Sequence, residues 1–148
     1  MIIKVCGMRD AENIRQVEQI GADWMGFIDY ERSPRYVDGI PEYLPKSLKK
    51  VGVFVQAPFS RIKERIGEWQ LNIVQLHGNE SPELCRNLQQ VGVKVIKAFS
   101  LRTDKDLCTT EYYAPYCDYS LFDTPCNGYG GSGTVSYTHL RAHETPEH

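Results

Sequence analysis

Apolar positions in this chain gather into six short runs, at residues 2–6, 24–29, 51–56, 73–77, 94–99 and 119–123. Each is rich in Val, Ile or Phe and too short for a typical helix, so the pattern predicts strands. The stretches between them change to helical spacing. From Asp10 to Ile20, residues Ile14, Val17 and Ile20 share one face and Gly21 supplies a stop signal. From Ser60 to Trp69, the apolar face is Ile62, Ile66 and Trp69. Ser81-Pro82-Glu83 opens another helix, with Ser as the N-cap and Pro at the first helical position. Asp104 to Tyr116 reads as a further helix, and residues 38–49 as a short second one interrupted by proline.

Strand and helix in regular alternation imply an α/β fold of parallel strands joined by right-handed crossovers. A run such as Val51-Gly52-Val53-Phe54-Val55 suits a sheet covered on both faces. An open doubly wound sheet and a barrel both satisfy this pattern. Either one places function at the carboxyl ends of the strands, where the polar signals fall. The first run delivers Cys6 and Gly7. The last delivers Asp123 and Thr124, followed by Gly130-Gly131-Ser132-Gly133. A thiol and a carboxylate at two strand exits suit proton transfer on a small phosphorylated substrate.

Composition narrows the class. A chain of 148 residues is one domain by length. Its net charge of -2 gives no case for nucleic-acid binding. No stretch approaches the roughly 20 apolar residues of a membrane span, and the amino terminus does not read as an export signal. The five cysteines are odd in number and none shows CxxC spacing, which disfavours a zinc site or disulfide framework and fits a reducing cytoplasm. His139 and His143 lie four apart with Glu144 beside them, a helical metal-pair spacing. The HExxH pattern is not met, however, and Pro146 would break the helix, so no metal is expected.

Several stretches together resemble the phosphoribosylanthranilate isomerase family of tryptophan biosynthesis. They are Lys4-Val5-Cys6-Gly7-Met8-Arg9-Asp10, Gly21-Ala22-Asp23-Trp24-Met25-Gly26-Phe27-Ile28, Ser33-Pro34-Arg35-Tyr36-Val37, Val51 to Val55, Val74-Gln75-Leu76-His77-Gly78, Ile96-Lys97-Ala98-Phe99, Leu121-Phe122-Asp123-Thr124 and Gly130-Gly131-Ser132-Gly133. They run in family order across residues 1–134. The resemblance implies a (β/α)8 TIM barrel of which about six of the eight strand–helix units are present, in a partial isomerase domain over 1–134. Residues 135–148 are expected to form a disordered tail with no strand. Val135 to Thr145 resembles a translated transposase-type sequencing adapter rather than any family ending. With two of eight strands missing, the first and sixth would carry open edges and the 148-residue chain would be molten or aggregation-prone and inactive.

The implied reaction is an Amadori rearrangement of an aminoaldose to an aminoketose, with no cofactor. By resemblance Cys6 is the base and Asp123 the acid. Arg35 grips the anthranilate carboxylate. His77 either lines the pocket or satisfies backbone groups. The backbone N–H groups of Gly130, Gly131, Ser132 and Gly133 suit phosphate. The plain alternatives are a buried structural thiol at Cys6, a turn aspartate at Asp123 and a solvated Arg35. Asp29 stands where the family usually has an apolar residue, as a local error or a polar strand end facing the mouth. Two other functional readings remain: a non-catalytic half-barrel binding a small phosphorylated ligand or a complementing fragment, and a flavodoxin-like module, whose phosphate-cradling first turn is lacking here. The sequence leaves the oligomeric state open.

Overall fold

The computed structural model describes residues 1–100, 104–123 and 139–142. Local sequence sets the helix ends. Helix α1, Ala11–Ile20, is capped by Asp10, whose carboxylate accepts from Asn13 N at 3.2 Å, and stops at Gly21 in the left-handed region. Helix α2, Phe59–Glu68, follows Pro58. Helix α3, Pro82–Val91, has Ser81 as N-cap, accepting from Leu84 N, and closes at left-handed Gly92. Helix α4, Asp104–Tyr113, tightens into a 3₁₀ turn over Ala114–Tyr116.

The strands are β1 (Lys4–Val5), β2 (Trp24–Asp29), β3 (Lys49–Phe54), β4 (Ile73–Leu76), β5 (Lys94–Ser100) and β6 (Tyr119–Asp123). All six are parallel, and their order in the sheet is their order in the chain. A doubly wound sheet reverses its strand order at a switch point; this one does not, so the flavodoxin-like reading is set aside.

Two contacts measure the curl. The rings of Trp24 on β2 and Tyr119 on β6 lie 5.2 Å apart edge to face. Four strand spacings on a flat sheet would separate them by about 19 Å. The ammonium of Lys4 on β1 likewise donates to the side-chain carbonyl of Gln75, three strands away on β4. The sheet is therefore bent into an arc, part of a (β/α)8 barrel, with two buried layers. Inside the arc lie Trp24, Val51, Val53, Ile73, Ile96 and Leu121. Between sheet and helices lie Phe27, Phe54, Leu76, Ile62, Trp69 and Leu88 among others.

Two expectations are corrected. Residues 38–49 hold no helix: they run irregularly into β3 at Lys49. Pro41 and Pro45 each withhold an N–H, and Gly39 turns the chain at φ 84°. The stretch after Thr134 was expected to hold no strand, yet His139–Ala142 form β7, antiparallel to β6. A free sheet edge offers N–H and C=O groups to any extended segment, whatever its side-chain pattern. His139 thus lies on a strand rather than on a helix with His143, which falls outside the described residues.

Candidate active site

The carboxyl ends of the strands bring the candidate residues to one end of the arc. Cys6 follows β1 directly, half-buried with a free thiol. Its loop is tied to β2, because Gly7 N and Met8 N both donate to Gly26 O, at 3.0 and 3.1 Å. Gly26 is glycine for a steric reason: a Cβ there would come within 2.8 Å of Cys6 Sγ, so the sulfur rests on β2's backbone. Gly7 has φ 81°, and a Cβ on it would collide with Arg35 Cδ and stand 3.4 Å from Nε and Nη1. The exposed guanidinium arm of Arg35 therefore lies across Gly7, one residue from the thiol. Its loop is held by Ser33, whose hydroxyl accepts from Arg35 N at 3.1 Å, and by the Ile28–Tyr36 bridge.

His77 follows β4, half-buried, its N–H donating to Phe54 O at 2.9 Å. Its Nδ1 is 3.4 Å from Gln75 Nε2. Asp123 ends β6 and pairs with Ser100 of β5, two register positions beyond Leu121; only its backbone is among the described positions. Gly130, Gly131, Ser132 and Gly133 lie outside the described residues. The structure thus brings Cys6 and Arg35 into contact, ties His77 through Gln75 to β1, and places Asp123 at the same end of the sheet.

Sequence reasoning missed the supports beneath this end. The loop after β4 is clamped by Glu80, whose carboxylate accepts from Gly78 N at 2.9 Å and Gln56 N at 2.8 Å. Lys97 of β5 donates to Gly78 O at 2.7 Å and stands 3.8 Å from Glu80. Burial lowers the Lys97 pKa from its ordinary value, and the facing Glu80 carboxylate opposes that shift. The signal was present: Lys97 and Gln75 are polar residues inside runs buried on both faces.

Asp29 is also explained. It lies in register with Phe54 and takes a two-pronged bond from Arg61 of α2, at 3.0 and 2.9 Å, with Arg65 at 3.6 Å. It is buried in an ion-pair cluster against a helix. The pair holds the Arg61 guanidinium above its ordinary pKa, chiefly through the Asp29 hydrogen bond.

The sheet order, the arc and the polar end together define a barrel-type α/β enzyme scaffold. Residues 3–142 match the family model described as N-(5'phosphoribosyl)anthranilate (PRA) isomerase. The N-(5'-phosphoribosyl)anthranilate isomerase of Phocaeicola vulgatus is 52% identical over 97% of this chain and 70% of its own length. That of Parabacteroides distasonis is 50% identical over 90% of this chain and 63% of its own length. The solved Thermotoga maritima enzyme superposes with a TM-score of 0.77 at 36% identity, covering 90% of this chain and 66% of that one. A further solved isomerase, in complex with reduced 1-(o-carboxyphenylamino)-1-deoxyribulose 5-phosphate, gives 0.74 at 34% identity, over 84% of this chain and 66% of its own. The chain belongs to the N-(5'-phosphoribosyl)anthranilate isomerase family, an isomerase family of tryptophan biosynthesis. It spans about two thirds of the length of these relatives. Among the described residues, no helix is long and apolar enough to cross a membrane.

Proposed function

We propose that this chain carries the acid–base end of an isomerase that converts N-(5-phosphoribosyl)anthranilate to 1-(o-carboxyphenylamino)-1-deoxyribulose 5-phosphate. The observation that best supports this reading is the seating of Arg35 on Gly7, which puts a carboxylate-binding group one residue from a thiol at a strand exit. Asp123 gives a proton to the ring oxygen as the C1–O bond opens, leaving a protonated Schiff base. Cys6, as thiolate, takes the proton from C2. That electron pair forms the C1=C2 bond and neutralises the nitrogen, and the enolamine then becomes the ketone. The electrons stay within the substrate, so the rearrangement calls for no external electron carrier. Arg35 holds the anthranilate carboxylate by its planar fork, His77 lines the sugar side, and the Gly130–Gly133 backbone receives the phosphate. The free thiols of Cys6, Cys85, Cys108 and Cys117 suit a reducing cytoplasm.

The test is turnover of the phosphoribosyl substrate, by the chain alone and with the carboxyl-terminal strand–helix units of a relative supplied. Activity is expected only in the completed barrel. There Cys6→Ser and Asp123→Asn should each lower kcat by about 10²–10⁴-fold, while Arg35→Ala should mainly raise KM. Near-normal kcat in Cys6→Ser or Asp123→Asn removes that residue from its role. Ligand binding without turnover in the completed barrel would favour the non-catalytic half-barrel.

A further inference from the structure

We propose that Lys4, Gln75 and His77 form a one-directional hydrogen-bond relay inside the arc, fixing His77 as an Nε2–H donor for an uncharged sugar oxygen of the substrate. The recognition half rests on the reading of the mouth given above. The relay itself rests on the donor and acceptor chemistry of three side chains.

Gln75 is 3% exposed and pairs in register with Val53 and Ile96, inside an otherwise apolar layer. A buried amide in such a place is retained only if its groups are satisfied. Its carbonyl oxygen takes a bond from the Lys4 ammonium, reached across the arc. An ammonium can only donate, so it dictates which end of the amide faces β1. The NH₂ end therefore faces His77 Nδ1, at 3.4 Å. An amide NH₂ can only donate as well, so Nδ1 presents its lone pair. In the neutral ring the proton then resides on Nε2. The tautomer of a residue at the exit of β4 is thus set by a lysine on β1, two residues before Cys6.

This arrangement suits a division of labour at the mouth. Arg35 supplies a full positive charge matched to a carboxylate. A neutral N–H donor adds no charge and matches a hydroxyl or carbonyl oxygen of the sugar chain. Lys4 and Gln75 are positioning residues in this scheme, acting only through His77.

The experiment reads the imidazole nitrogens of the full chain by ¹⁵N NMR, with His77 assigned by its loss in His77→Ala. Wild type should carry its proton on Nε2. Free imidazole side chains also favour that form, so the deciding variant is Gln75→Glu. A carboxylate only accepts, so both neighbours must donate to it and the proton must appear on Nδ1. Lys4→Met should release the amide and give a mixture of tautomers, and it carries the test if Gln75→Glu loses its helical circular dichroism. A wild-type proton on Nδ1, or an Nε2–H form unchanged in the folded variants, overturns the relay. Reduced 1-(o-carboxyphenylamino)-1-deoxyribulose 5-phosphate should bind the completed barrel at least about tenfold more weakly after Gln75→Glu. A tautomer that moves with no change in affinity overturns the recognition role. Failure of the unmutated barrel to bind this ligand at all would instead count against the proposed function, and the tautomer readout would still decide the relay.

Discussion

The unit from β4 through α3 to β5 and the connection from β2 to β3 cover neighbouring parts of the helix-facing side of the sheet by different means. The first uses a regular helix. Its own ladder satisfies its backbone, Ser81 and Gly92 close the ends, and Cys85 and Leu88 supply the buried contact. The second, residues 30–48, has no helix. It still buries Val37 and Leu48 and packs Tyr43 and Leu44 on the same core. Its backbone groups therefore need partners from elsewhere. Glu18 of α1 accepts from Lys46 N, Ser47 N and the Ser47 hydroxyl, each at 2.8 Å, and from the Tyr43 hydroxyl at 2.6 Å. Gly39 O accepts from the Trp69 ring N–H at 2.9 Å, and Arg65 stands 3.5 Å from the same oxygen. The comparison teaches that cover for a sheet can come from helix propensity, or from neighbouring helices that lend their side chains to an irregular strap.

The difference can be broken at four points. Leu88→Ala should cost most, about 2–5 kcal/mol, since it opens a cavity beneath the helical unit. Denaturant unfolding measures the loss, and faster amide exchange should concentrate in α3 and β5. Trp69→Phe keeps an aromatic ring but removes the donor to Gly39 O, and should cost about 1–3 kcal/mol. Here the exchange should rise in residues 37–48 and leave α3 unchanged. Ser81→Ala removes an N-cap bond for about 1 kcal/mol, with fraying confined to the first turn of α3.

Glu18→Gln is the smallest, about 0.5–1 kcal/mol after allowing for solvent around the carboxylate, and it carries a pH signature. The Tyr43 hydroxyl first, and then the Ser47 backbone N–H, hold Glu18 at about 2 against an ordinary 4.5. A depressed carboxylate stabilises the fold fully above its ordinary value and loses that contribution as pH falls through about 2. Acid titration of amide protection in residues 43–47 should therefore weaken from roughly pH 5 downward in wild type and flatten in Glu18→Gln. A strap whose acid response is the same in both chains would show that Glu18 does not hold it.

Much of the fold was legible because it is written locally. Strand existence, the Asp10 and Ser81 caps, and the glycine stops at Gly21 and Gly92 each depend on residues within a turn of one another. Where local signals were read too strongly they failed: the apolar positions of 38–49 suggested a helix, but two prolines and a left-handed glycine decide that backbone. The fragment His139–Ala142 failed in the other direction, since pairing with an open edge needs little from the side chains.

The site divides in the same way. Cys6, Arg35, His77 and Asp123 could be named as polar residues at strand exits, because parallel topology sends all exits to one end. The sequence by itself determined that alternation, the end at which chemistry gathers and the residue types available there. Only the tertiary structure decided that the sheet curls until Trp24 meets Tyr119, that Lys4 reaches Gln75, and that Asp29 faces Arg61. The physical reason is range. Periodicity and capping act over a few residues, whereas a partner 71 positions away, as Gln75 is from Lys4, is chosen by the curvature of the whole sheet.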